Sequence, residues 1–177
     1  MIGGGRCALG VQGVVDRLDD RFRLLTTSQR DMPPRQRTLT EVIGWSWDLL
    51  TEADRRVLAR LAVFSDGCTP EAAGQVCRTD LDALARLVDR SLVVTDDSGA
   101  SPRYRLLESV AAFCLERLDD ADDVRAQHAA YYTDLAERAG PELRGADQQE
   151  WLARLDAETA NLRSALAHGG GLAWPTP

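Results

Sequence analysis

The feature that most constrains this fold is a change in the spacing of apolar residues after residue 90. Between residues 38 and 90, apolar residues recur at intervals of three and four, which is the spacing of amphipathic helices. Residues 92–95 and 103–106 instead have the composition and alternation of short strands, and the turn-forming sequence DDSGASP joins them. We therefore predict a mainly α-helical fold that contains one small β-hairpin.

Local signals indicate where the predicted helices begin and end. Capping boxes, TLTE at 38–41 and TEAD at 51–54, are expected to start two of them. Gly67 is expected to end the second helix, and Glu108 is expected to cap the helix that follows the hairpin. Three or four short helices followed by a hairpin are the layout of a winged helix, which we place at residues 38–110.

A second helical region follows the predicted winged helix. Residues 111–168 are expected to form an α-helical hairpin, in which Gly140 and Pro141 end one helix and residues 151–166 form the last one. Helical repeats need about three units to close a core. This region therefore looks like the start of a helical array that the chain does not finish, and residues 169–177 are predicted to be a disordered tail.

The charged residues exclude several classes of function. The formal net charge is −7, and the middle and C-terminal thirds of the chain are acidic, which argues against DNA as the main partner. All 21 basic residues are arginine, so the chain cannot supply the lysine of a phosphate-binding P-loop. No group of residues has the spacing of a catalytic site, so we expect a protein that is not an enzyme.

The sequence also gives no sign of a membrane span or a metal site. Its apolar runs are far shorter than the roughly 20 residues that cross a bilayer. The four cysteines form no CxxC pair, and no histidine lies at metal-ligand spacing from them. We expect a cytoplasmic protein with no metal and no cofactor bound by this chain.

Several segments together resemble a known bacterial family. They are, in chain order, RLDDRFRLLT, PPRQRTL, WSWDLLTEADRRVLARLAVFSDGCTPEAA, LARLVDRSLVV, RYRLLESVAAFCLERL and QHAAYYTDLAE. This combination, over roughly residues 16–168, is similar to transcriptional regulators of the STAND class, which are signal-transduction NTPases with an NB-ARC-like core.

The resemblance implies a domain order for the intact family. Residues 1–37 would be the remnant of a small helical domain and a linker, residues 38–110 the winged helix, and residues 111–168 the first helices of a tetratricopeptide-like repeat region. The family's P-loop domain, which binds ATP or ADP, would lie upstream of Met1. The resemblance therefore implies that this chain is a fragment of a longer protein.

The resemblance also assigns a role to the junction between the hairpin and the next helix. Related proteins carry a Met-His-Asp motif there, and its histidine contacts the β-phosphate of ADP. Leu106, Leu107 and Glu108 stand at that position here. The Leu107 side chain has no hydrogen-bond donor for a phosphate. Since most of the family's nucleotide site is also missing from this sequence, we expect no nucleotide binding by this chain.

Two functions remain open. The first is a non-catalytic relay module that couples the missing nucleotide-binding domain to the helical repeats through protein contacts, with DNA an unlikely partner. The alternative is a stand-alone winged-helix regulator that binds DNA. Its candidate DNA contacts, on the helix expected at residues 80–90 and on the hairpin, are Arg86, Arg90, Arg103 and Arg105.

Overall fold

The computed structural model describes residues 34–97 and 101–168, and the residues from Ser46 onward belong to one compact unit. The described residues are mainly helical with one two-stranded antiparallel sheet, so the predicted fold class is confirmed. The predictions for residues 1–33 and for the tail at 169–177 lie outside the described residues. The elements in chain order are α1 (Pro34–Asp48), α2 (Glu52–Leu61), α3 (Pro70–Cys77), α4 (Leu81–Asp89), β1 (Val94–Asp96), β2 (Arg103–Arg105), α5 (Glu108–Leu115), α6 (Ala121–Glu142), α7 (Gln148–Ala157) and α8 (Thr159–His168).

Strands β1 and β2 form the hairpin that the alternating pattern predicts, although each strand is only three residues long. They pair antiparallel, with Thr95 opposite Tyr104 at the centre of the register. On its other side, Tyr104 exchanges two backbone hydrogen bonds with Cys68, of 2.9 Å and 2.8 Å. The hairpin is thereby attached to the segment that leads from α2 into α3.

The N-terminal caps of α2, α3 and α4 follow directly from the sequence. The Thr51 hydroxyl oxygen accepts a hydrogen bond from the Asp54 N–H at 3.2 Å, which confirms the second predicted capping box as a helix start. Thr69 and Asp80 cap α3 and α4 in the same way, at 3.2 Å and 2.8 Å. Pro70 takes the first position of α3, where its missing N–H costs no helical hydrogen bond.

Two predicted boundaries before the hairpin are wrong. Helix α1 begins at Pro34, because proline suits the first position of a helix, so Thr38 lies inside the helix rather than at its start. Gly67 does not end α2, which stops at Leu61. It has a φ of +69°, and a Cβ there would lie 2.5 Å from the carbonyl oxygen of Tyr104, so this close approach of two backbones requires glycine.

Three boundaries after the hairpin also differ from the predictions. Glu108 is the first residue of α5 and does not cap it. Helix α6 continues through Gly140 and Pro141, because a proline in the last turn removes only one helical hydrogen bond. The single helix predicted at residues 151–166 is two helices, α7 and α8, which are separated by Glu158.

One hydrophobic core connects the short helices with the helical region behind them. Helix α2 packs on α3, α4 and α5, while α3 also packs on α6, and α6 packs on α8. Leu58, Val76 and Leu87 are buried on the side of the short helices, and Tyr132 and Leu135 of α6 are buried behind them. Burial of each such side chain contributes on the order of 2 kcal/mol. The short helices α2 to α5 and the helices α6 to α8 therefore share one core.

Candidate functional site

Helices α3 and α4 form a helix-turn-helix. The turn begins at Arg78, which has the left-handed backbone conformation with a φ of 55°, and α4 starts after its cap, Asp80. In DNA-reading proteins with this arrangement, the second helix enters the major groove. The exposed residues of α4 and its C-terminal cap are Leu81, Asp82, Ala85, Arg86, Asp89 and Arg90. This surface carries two arginines and two aspartates.

Arg86 holds α4 against α2 through a buried carboxylate. Its Nη2 and Nε lie 2.8 Å and 3.2 Å from Oδ1 of Asp54, and the Thr51 hydroxyl donates to Oδ2 at 2.8 Å. Asp54 is only 2% exposed, so its charge requires these partners. The hydrogen bond from Arg86 is the main reason that the pKa of Asp54 is lowered. The Arg86 side chain remains 52% exposed.

Arg90 and Arg105 also have partners within the protein. Arg90 donates from Nη1 to the carbonyl oxygen of Leu49 at 3.2 Å. Arg105 pairs with Asp66 at 2.7 Å and with Asp96 at 3.6 Å, and all three side chains are partly exposed. Ion pairs of this exposure contribute little stability, so Arg105 could exchange its partners for an anion at small cost.

Arg103 differs from the other candidates because it is buried. Its guanidinium forms an ion pair with Glu158, with Nη1 on Oε1 and Nη2 3.3 Å from Oε2. Nη2 also lies 3.2 Å from the carbonyl oxygens of Asp66 and Gly67. The structure therefore places this arginine of the hairpin inside the protein, between the hairpin and the residue that separates α7 from α8.

Glu158 is the centre of a buried polar cluster, which we call the wing clamp and define as Arg103, Tyr132, Glu158 and Asn161. The Tyr132 hydroxyl donates to Oε2 of Glu158 at 2.8 Å, and Nδ2 of Asn161 donates to the same oxygen at 2.9 Å. Asn161 also donates to the Gly67 carbonyl at 2.9 Å. The clamp thereby connects the hairpin, the loop before α3, α6 and α8.

Sequence reasoning identified only Arg103 of this cluster, and it assigned that residue to DNA. The other three residues lie 29 to 58 positions further along the chain, and no local pattern links them to the hairpin. Glu158, an acidic residue between two apolar helical segments, would ordinarily be expected at the surface. The clamp depends on long-range packing, which spacing rules do not address.

The position that corresponds to Met-His-Asp lies at the start of α5. Leu107 is the N-cap residue, is 55% exposed, and makes no side-chain capping hydrogen bond. Its carbonyl oxygen accepts from the Ala111 N–H at 2.9 Å. Leu106 is partly buried and Glu108 is exposed in the first turn, where a negative charge is favourable. The prediction of a degenerate nucleotide contact here stays a prediction.

The thiols of the described region do not have the character of reactive groups. Cys68, Cys77 and Cys114 are free and buried. Burial raises the pKa of Cys77 and that of Cys114 to about 12, and it raises the pKa of Cys68 as well, so all three are protonated at neutral pH. Within residues 34–97 and 101–168, no group of three potential ligands could hold a metal ion. No helix in these same ranges is long and apolar enough to cross a membrane.

The helix-turn-helix and hairpin agree with a known domain family. Residues 50–119, which contain α2 to α5 and the hairpin, match the model of the winged helix-turn-helix domain. The chain therefore contains a winged helix-turn-helix domain, as the order of its elements predicts. No solved structure matches the chain.

Curated proteins are similar to this chain over most of its length. The chain is 42% identical over 163 residues to a protein of Mycobacterium tuberculosis and to one of Mycobacterium bovis, each provisionally named an HTH-type transcriptional regulator. It is 34% identical over 122 residues to an uncharacterized protein of M. tuberculosis. These alignments cover 87% and 64% of this chain, but only 18% and 31% of the relatives. The chain thus resembles a short part of much longer regulators, and its membership of the STAND class stays a prediction.

Proposed function

We propose that this chain is a non-catalytic relay module of a transcriptional regulator, and that its winged helix transmits conformational changes through protein contacts. The observation that carries this proposal is the burial of Arg103 against Glu158, which joins the wing to the helical region. The resemblance described above suggests the partners: a nucleotide-binding domain on one side and further helical repeats on the other.

The charge of the domain also supports protein partners. Residues 50–119 contain nine arginines and twelve acidic residues, a formal net charge of −3. Binding to DNA depends on neutralising phosphates with arginine and lysine. Arg86 already compensates a buried aspartate, and Arg103 is inside the protein. Asp82 and Asp89 offset the remaining positive charge on α4.

A relay requires that a change in the helical region reaches the wing, and amide hydrogen exchange measures this directly. We expect Glu158→Gln to accelerate exchange at the amides of Cys68 and Tyr104, because the loss of charge weakens the interaction that holds Arg103 of the hairpin to Glu158. The matched control is Glu71→Gln. Glu71 also connects the two regions, through Arg154 at 3.2 Å, but both of these side chains are exposed.

The two variants separate the relay from a purely local effect. A faster exchange at Cys68 and Tyr104 in Glu158→Gln, by about tenfold or more, with no change in Glu71→Gln, would support the relay. Acceleration restricted to α7 and α8 would show that the wing does not respond to the helical region, and the relay would then be rejected.

DNA binding is a second candidate function, and the domain match together with the relatives' names favours it more directly than it favours the relay. If α4 contacts DNA, the chain should bind a 30-base-pair duplex, with an affinity that falls as salt rises. Arg90→Ala should weaken this binding, while Arg138→Ala on α6 should leave it unchanged. Fluorescence anisotropy at low salt measures both. A flat titration would dismiss this function, and a salt-dependent affinity that only Arg90→Ala weakens would establish it.

A further inference from the structure

A cavity lies where the winged helix meets the helical region, and the functions above make no use of it. It is bounded by the segment after α2, by α5, and by the facing sides of α6 and α8, and its volume is about 470 Å³. This volume lies within the roughly 300–1,000 Å³ typical of small-molecule sites. Phe64 and Leu115 form its apolar part.

The polar residues that line this cavity are all cationic or neutral. They include Arg125, His128, Ser164 and His168, and none of the described lining residues is acidic. The whole chain has 28 acidic residues and only two histidines, and both histidines lie here. A cavity that is lined by Arg125 and by no described acidic residue, in a protein with a net charge of −7, favours a ligand that is itself an anion.

Arg125 and His168 both line the cavity, and the partners that each already has leave room for an anion. Arg125 has one weak ion pair, to the fully exposed Asp122 at 3.7 Å, which solvent screens. Nδ1 of His168 lies 2.9 Å from the carbonyl oxygen of Ser164, which fixes the ring and leaves Nε2 for another partner. Arg125 can therefore donate to a carboxylate without breaking a strong interaction, and His168 can donate from Nε2 in its imidazolium form, in which both ring nitrogens carry a proton.

His128 is a buried residue that also lines this cavity. It is 3% exposed, and in the described part of the chain its Nε2 has no hydrogen-bond partner. Its ring lies 5.2 Å from that of Phe64 and 4.6 Å from that of Tyr132, between centroids. Buried polar atoms without partners are rare, and each calls for an explanation.

We propose that this cavity binds a small carboxylate with an apolar body. Arg125 and His168 hold the carboxylate group, Phe64 and Leu115 contact the apolar body, and His128 lies against the bound molecule. The ligand contacts both the winged helix and the helical region, so its binding stabilises their present arrangement. The site is independent of the proposed relay, because a regulator that binds DNA could use it equally.

Benzoate is a suitable probe, and the two histidines report on its binding. Titration of the full chain with benzoate should shift the Hε1 resonances of His128 and His168 along one saturable curve, with a dissociation constant of about 1 mM. Benzamide has the same shape without the charge and should bind at least about tenfold more weakly. Inorganic phosphate, which has the charge without the apolar body, should also bind more weakly.

Two variants test the residues. Arg125→Gln should weaken benzoate binding by about tenfold, while Arg138→Gln should not change it, because Arg138 lies on the same helix but does not line the cavity. Leu115→Trp should block binding by filling the cavity from α5. The proposal would be overturned if benzoate gave no saturable shift, if benzamide bound equally well, or if the two arginine variants behaved alike.

Discussion

Replacement of Arg103 by methionine is expected to lower the free energy of unfolding by about 3–5 kcal/mol. The change leaves the Glu158 carboxylate buried with hydrogen bonds from Tyr132 and Asn161 but without its cation. It also removes a donor to the carbonyl oxygens of Asp66 and Gly67, of which the latter keeps its hydrogen bond from Asn161. Urea unfolding followed by circular dichroism measures the difference.

The matched control is Arg105→Met, two residues further along the same strand. Its ion pairs with Asp66 and Asp96 are partly exposed, so this variant should lose less than about 1 kcal/mol. Equal losses in the two variants would show that the clamp adds nothing beyond a surface ion pair. If Arg103→Met does not fold, Arg103→Lys serves in its place, because lysine keeps the positive charge. We expect this variant to fold, with a free energy of unfolding that is lower by about 1–2 kcal/mol.

Local chemistry explains why part of this fold could be predicted from the sequence. The start of α2 and the hairpin depend on residues within a few positions of one another, such as Thr51 with Asp54. The turn sequence between the strands likewise contains its own signal. Such short-range interactions are present in the sequence pattern itself, so the fold class and element order follow from it.

The errors arise where distant residues decide the structure. Glycine often ends a helix, which is why the sequence predicts that Gly67 ends α2. In the structure it is glycine because the backbone of Tyr104, 37 residues away, lies too close for a side chain. Arg103 fits the pattern of an exposed wing residue, yet Glu158 holds it inside. For Arg86 the sequence gives the position on α4 but not the buried Asp54 beside it. The helix or strand that carries each candidate arginine could be predicted from the sequence, while the residue with which that arginine interacts could not.

A second large effect is expected from pH. The free energy of unfolding should fall by about 3 kcal/mol between pH 7 and pH 4 because of His128. Burial lowers the pKa of this histidine from 6.5 to about 4, while Asn161 and Glu158 oppose the shift only in part and His168 adds to it. Each unit by which the pKa of His128 differs between the folded and unfolded states is equivalent to about 1.4 kcal/mol of unfolding free energy.

Stability falls with falling pH because the unfolded state of the chain binds a proton at His128 more readily than the folded state does. In the unfolded chain the His128 ring takes up a proton near pH 6.5, whereas in the folded protein it does so only near pH 4. Between these values the unfolded state binds more protons, so stability is fully present above about pH 6.5 and is lost as the pH falls. Asp54, whose pKa is lowered from 3.8, adds its own loss mainly below pH 4, so the window from 4 to 6.5 isolates His128.

His128→Phe removes the titrating group and keeps an aromatic ring against Phe64 and Tyr132. Urea unfolding at pH 7 and pH 4.5 should therefore show a smaller loss in this variant than in the wild-type chain, by about 2–3 kcal/mol. Proton NMR of the Hε1 resonance gives the midpoint directly, and His168→Gln assigns the two signals because the chain has no other histidine. Parallel pH dependence in the two proteins would contradict the burial of a neutral ring at this position. A midpoint near 6.5 for His128 would contradict it as well, because burial is the largest cause of the lowered pKa.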